Sequence, residues 1–488
     1  KNLSIPPDAI VIKGDSLFVY AGFIDGLSRT GVIKPKEESK ERPKDPANPT
    51  PERAGITPQS DVRDLINPTD KGIEELRAVG FTTAQVVPFG GMLPGKSAVI
   101  SLNGKRSDDM VLVPLHSLYS ELTAADRVYP STIIGVLAKW KELYKQALLA
   151  KNYETLYASN RTGLTPPESN RVMESFYPVI EKRMPVLFKA ERNLDLHRIV
   201  SLQKDLGFAL TLADVKEGTE VVQKIKSSSA KVFLSLDLPE EKKKDDKKTE
   251  SVLTTLSAAE KEALEKRKEE TINKLVAQPV VFQQAAVPFG FSAMSVKTKD
   301  IQPNLRRMIK AGLTEDQALA ALTINAAQLL GLSDRLGTLE AGKIANVMIA
   351  HRPYFHDKSE VKYVFVEGVQ YKIDTPVKKD GAAGVVLEGE WSLSANTPQG
   401  KSESILVIKK SGDKYSGNLS GGQVTGDVTI ETISFDGKTM KFSCTVNAGG
   451  QPVGITVEVT VDGNTFKGTT FIDGGESFPV EGKKTPKK

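Results

Sequence analysis

The chain holds four histidines, His116, His197, His351 and His356, and one cysteine, Cys444. Imidazole is the side chain that most often binds transition metals or moves protons near neutral pH. Two imidazoles share a strand or helix face only at i,i+2 or i,i+4 spacing. No two of the four have either spacing, and only His116 falls where it could approach the end of a buried strand. One cysteine allows neither an internal disulfide nor a multi-thiolate metal site. Residues 90–97, GGMLPGKS, satisfy the phosphate-loop pattern with Gly90, Gly95, Lys96 and Ser97 in register. That chemistry needs a helix to begin there, so that its free amides meet the phosphates. The AVISL run at 98–102 reads as a strand instead, and no nucleotide site is expected. Carboxylates and lysines remain: Asp25, Lys189, Glu191, Asp214 and Asp237 each sit at or just past the end of an apolar run. Such a cluster could do acid–base work if burial shifted its proton affinities. Nothing marks a nucleophile or an oxyanion hole beside it, so an ion-pair network is the expectation.

The elements that would position these residues alternate. Helical spacing at 70–80 ends on Gly80, and FTTAQVVP at 81–88 reads as a strand, followed by strands at 98–102 and 111–115. Long amphipathic helices are expected over 133–150 and 168–183, then strand 185–188, helix 196–206 closed by Gly207, strand 208–212, helix 218–227 and strand 230–236. This alternation over some 310 residues predicts a parallel α/β barrel enlarged by insertions. Residues 34–55 and 239–275 are charged insertions of mixed sign, expected to be solvated. Beyond Gly384 the texture turns Gly- and Thr-rich, with short alternating strands and turns at 411–413, 436–437 and 462–464. Residues 385–488 are therefore expected to form an all-β sandwich or barrel with a lysine-rich tail. The net charge of +5 comes from interleaved acids and bases, which does not suit nucleic acid, and no apolar run reaches the ~18 residues of a membrane span.

Three segments carry a resemblance. IPPDAIVIKGDSLFVYAGFID at 5–25 is similar to the barrel entry of amidohydrolases of the imidazolonepropionase-like type. TEDQALAALTINAAQLLGLSDRLGTLEAGKIANVMIA at 314–350 resembles that family's last barrel helix and its return strand, and GFTTAQVVPFGGMLPGKSAVISLNG at 80–104 resembles its second strand and loop. The resemblance, over roughly residues 5–375, implies a (β/α)8 TIM-like barrel over 22–331 and a bipartite small β-sandwich from 1–21 and 332–378. It also implies that strands precede Lys1, so the chain is expected to be a piece of a longer protein.

Amidohydrolases activate water on one or two divalent metals at the C-terminal strand ends. The family pattern is His-x-His after the GFID aspartate, lysine or glutamate on the fourth strand, a histidine on the fifth and on the sixth, and aspartate on the eighth. The resemblance puts Leu27 and Arg29 at the two first-strand histidines, Lys189 near the fifth-strand position, Ala213 or Asp214 on the sixth, and Ser292 at the bridging aspartate. The metal ligands are thus absent, and no cofactor is expected. The leading expectation is a degenerate amidohydrolase-like protein, a structural or ligand-binding module beside an active amidohydrolase domain or chain. The alternative is an active hydrolase of small-peptide or non-peptide C–N bonds with a rebuilt site, in which case zinc is the expected metal. A carbohydrate-binding role for the β domain would rest on Trp391 and Tyr415, which read as core residues. A bacterial periplasmic or cell-envelope setting is expected from the modular layout.

Overall fold

In this computed structural model the described residues are 11, 14, 16–35, 44–240, 258–373, 387–397, 400–411, 414–422, 426–435, 439–448, 451–472 and 477–485. The expected strand at 9–12, most of the first half of the 239–275 insertion, and the turns at 411–413 and 436–437 fall largely outside them. Two units partition the chain, Lys1–Thr375 and Pro376–Lys488.

In the first unit, FVYA forms β1 (Phe18–Ala21), and FIDGLS forms β2 (Phe23–Ser28), buried along its whole length. Strands β3 (Phe81–Val86), β4 (Gly95–Ser101), β5 (Val111–Glu121), β6 (Val186–Lys189), β7 (Leu210–Val215), β8 (Lys231–Ser235) and β9 (Phe289–Ser292) continue the sheet in sequence order. Near-continuous burial suits strands covered by helices on one face and by barrel core on the other. The order departs from a strict (β/α)8 arrangement at one strand: β4 runs antiparallel to both β3 and β5, while the other pairings are parallel. The links 87–94 and 102–110 are too short to carry the dozen or more residues of a parallel crossover.

The sheet curls until β9 returns to β2. Among the described residues no backbone ladder joins these two strands; side chains do so instead. The Ala293 amide donates to Asp25 Oδ1 at 2.9 Å, and Ser292 Oγ donates to the Leu27 carbonyl at 3.2 Å. Phe233, on β8, fills the barrel axis, and a Cβ at Gly26 or Gly290 would lie 2.0 or 2.7 Å from its ring. Both glycines are therefore demanded by close approach.

Outside the sheet, the helix Ile133–Ser159 buries Trp140 among Phe176, Phe188 and Phe208, with ring centroids 5.1–5.8 Å apart. Its indole N–H donates to Ser120 Oγ, which donates to the Met92 carbonyl. The end of β5 is thereby pinned. The helix expected over 168–183 is instead two single turns, Arg171–Glu174 and Tyr177–Ile180. Pro178 lacks the N–H that a continuous helix would use.

β1 joins β10 (Val347–Ala350), β11 (Val361–Val366) and β12 (Val369–Lys372) in one antiparallel sheet. Among the described residues this part of the expected small β-sandwich is a single four-stranded layer, and the expected strand at 9–12 lies largely outside them. Tyr354, Phe23 and Phe81 pack edge-to-face between this sheet and the barrel.

The second unit is a closed antiparallel barrel of eight strands in sequence order. These are β13 (Gly389–Thr397), β14 (Gly400–Ser411), β15 (Lys414–Ser420), β16 (Val428–Phe435), β17 (Thr439–Ala448), β18 (Gln451–Asp462), β19 (Thr465–Ile472) and β20 (Ser477–Lys484). Trp391, Leu406, Met440, Phe442 and Phe466 fill its interior, as eight strands allow. Trp391 is fully buried and Tyr415 packs against the same core, which leaves the carbohydrate reading without its aromatic platform. Among the described residues no helix is long and apolar enough to cross a membrane.

Candidate functional site

The carboxyl ends of β2 and β5–β9 bring the sequence-flagged side chains together. Asp25 is fully buried on β2, with Oδ1 accepting from the Leu27 and Ala293 amides and Oδ2 without a partner. Burial pushes its carboxyl up to about 7; the amides of Ala293 and Leu27 and the Ser28 hydroxyl pull down, and the Asp214 charge adds to the rise. Asp214 is also buried. Its φ of +57° and a register shift between Leu212 and Val215 form a bulge at this point of β7. Ser295 Oγ donates to Asp214 Oδ2 at 2.7 Å, and Lys189 Nζ stands 3.9 Å from the same oxygen. Burial raises the Asp214 carboxyl, against the pull of Ser235, Ser295, Lys189 and Lys216.

A chain of ion pairs continues outward. Lys189 Nζ lies 3.3 Å from Glu191 Oε1, and Lys216 Nζ lies 3.4 Å from Glu191 and 2.7 Å from Asp237 Oδ2. Burial opposes ionisation of Glu191, but Lys189 and Lys216 together hold it below its usual range. Burial likewise opposes a charged Lys216, and Asp237, Glu191 and Asp214 together outweigh it. A cavity of about 320 Å³ opens beside Lys216 and Asp237, and another of about 370 Å³ beside Arg29 and Met294.

Leu27 and Ser292 are core and seam: Leu27 is fully buried among apolar neighbours, and Ser292 bonds the Leu27 carbonyl. Arg29 pairs with Glu121 Oε1 and lies 4.5 Å above the Phe89 ring. Glu121 was invisible in the sequence reading, which ended that strand at Leu115. Pro114 and the left-handed Leu115 (φ +50°) kink β5 where its register with β4 shifts, yet pairing resumes at Ser117 and runs to Glu121, opposite Lys189. The alternating tail LHSLYSE was the available signal. Lys216 and Ser295 were missed because each lies beyond its strand end.

His116 does not approach this mouth. It lies five residues below Glu121, where Nε2 faces the Leu330 carbonyl at 3.1 Å and Nδ1 faces Ser117 and Gln85. Burial lowers its proton affinity, so it is a neutral ring satisfied on both nitrogens. His197 sits on the helix Asn193–Leu206, and His351 and His356 lie between β10 and β11. Lys96 lies within β4 with its amide bonded to the Ser60 carbonyl, so no helix follows the GGMLPGKS motif.

Divalent metal in this fold needs several imidazole or carboxylate donors converging on one point. Among the described residues no three His, Cys, Asp or Glu side chains do so. Where the resemblance expects ligands stand Leu27, Arg29, Lys189 and Ser292, of which an alkyl chain and two cations do not suit a divalent ion, while Glu121 at the end of the fourth strand is a donor that the family pattern allows.

Residues 186–371 match the amidohydrolase family model. An amidohydrolase structure from Thermotoga maritima MSB8 is similar at 20% identity and a TM-score of 0.60, over 76% of this chain and 91% of that one. A prolidase complexed with N-methylphosphonate-L-proline covers the same shares at 15% identity and a TM-score of 0.40. A Xaa-Pro dipeptidase with bound methionine covers 75% and 91% at 13% identity and a TM-score of 0.36. No curated protein matches the chain.

Proposed function

We propose that this member of the amidohydrolase superfamily is a non-hydrolytic barrel, retained as a structural or ligand-binding module beside an active hydrolase. The observation that supports this reading is the replacement of the first-strand ligand pair by Leu27, packed into the core, and Arg29, paired with Glu121. An imidazole pair would converge on an ion, whereas a leucine and a guanidinium hold the strand end apolar and positive. Without a metal, water activation would fall to the carboxylate–lysine cluster, and its members are spent on one another. The cavities flanking the cluster are where a small ligand would sit.

Elemental analysis of the purified chain, before and after chelation, tests the reading alongside amidase and dipeptidase assays. The expected result is no stoichiometric zinc, manganese or iron and no turnover above buffer. Near-stoichiometric metal with chelator-sensitive activity would sink it and favour a rebuilt hydrolytic site.

A further inference from the structure

We infer that Arg29 and Lys189 take over the charge that divalent metal supplies in a hydrolytic amidohydrolase, each acting as a built-in counter-ion to a carboxylate of the barrel mouth. The inference rests on the non-hydrolytic reading above. A carboxylate carried into a barrel mouth loses water and needs a cation at close range to remain ionised. Glu121 closes the fourth strand of the sheet and Lys189 the fifth, and the register sets them side by side. Arg29, from the first strand, reaches across the mouth to Glu121 Oε1, the same oxygen that the buried Tyr119 hydroxyl donates to at 2.8 Å. Lys189 turns the other way, to Asp214 and Glu191.

The four side chains of the two pairs expose 26% (Arg29), 15% (Glu121), 21% (Lys189) and 0% (Asp214) of their surface. These values lie well below those of a solvated surface pair, so neither pair is neutral decoration.

The test is calorimetry on the full chain, comparing the parent with Arg29→Met, Lys189→Met, Arg29→Met/Glu121→Gln and Lys189→Met/Asp214→Asn, with metal content measured in each. Removing a cation strands its carboxylate, so each single variant is expected to lower the Tm of the barrel transition by about 5 °C or more. Removing both partners leaves nothing stranded, and each paired variant should recover more than half of that loss. Where a single variant yields no soluble protein, recovery of folded protein by its paired variant is the readout. Single variants as stable as the parent, or paired variants no better than the singles, would overturn the counter-ion role while leaving the chain metal-free. Metal found in the parent would overturn the non-hydrolytic reading itself, a separate result.

Discussion

Asp25 is held by one oxygen and stranded by the other. Oδ1 fastens β2 to the end of β9 through the Ala293 amide and also accepts from the Leu27 amide of its own strand, and Oδ2 is buried with no partner. A proton on the stranded oxygen relieves the burial of charge, which is why the carboxyl rises to about 7. A raised folded-state value means that the favourable contribution is fully present below the unfolded-state value, near pH 4. It is lost as pH climbs through 7. Asp25→Asn keeps the amide-accepting oxygen and abolishes the charge. It is expected to match the parent near pH 4 and to exceed it by about 4 kcal/mol at pH 8.5, read as Tm against pH. Asp25→Ala removes the clasp itself and should cost about 2 kcal/mol even at pH 5, because two buried amides lose their acceptor. A parallel pH profile for Asp25→Asn and the parent would refute the assignment.

At the level of elements, the barrel is fitted around one ring. Phe233 stands where β2 and β9 have only Gly26 and Gly290 to offer, so a single methyl there has no room. Gly26→Ala is expected to destabilise the barrel by about 3 kcal/mol or more, measured by chemical denaturation, against about 1 kcal/mol for Ala at Gly207. The latter position has open space, and only its φ of +77° is lost to alanine. The sequence made much of this frame legible, because buried parallel strands read as unbroken apolar runs and Gly207 reads as a helix stop. Strand direction was not legible: periodicity is blind to it, and the antiparallel β4 emerges only from the short links on either side. The site was half legible for a related reason. Asp25, Lys189, Asp214 and Asp237 end or follow apolar runs, whereas Glu121 lies beyond a kink at Pro114 that ended the reading too soon. No sequence pattern pairs Arg29 with Glu121, since 92 residues separate them.

At the level of the whole molecule, the apolar cores are built from separate stretches of chain, two clusters in Lys1–Thr375 and one in Pro376–Lys488. Each stretch is expected to unfold as its own cooperative unit, giving two calorimetric transitions. Trp391→Ala should remove about 3–5 kcal/mol from the β-barrel transition alone, since the indole is fully buried against Phe466. A shift of both transitions together would show that the two stretches fold as one. The closed barrel also settles where its ends lie. β13 and β20 are neighbours, with Trp391 opposite Lys484, so the strand that begins the module and the strand that finishes it leave from one seam. A fold whose entry and exit adjoin can be spliced into a surface loop of a host protein without prising the host apart. Its own order can also be rewritten by joining those ends and opening any hairpin. This barrel is a cassette as much as a domain.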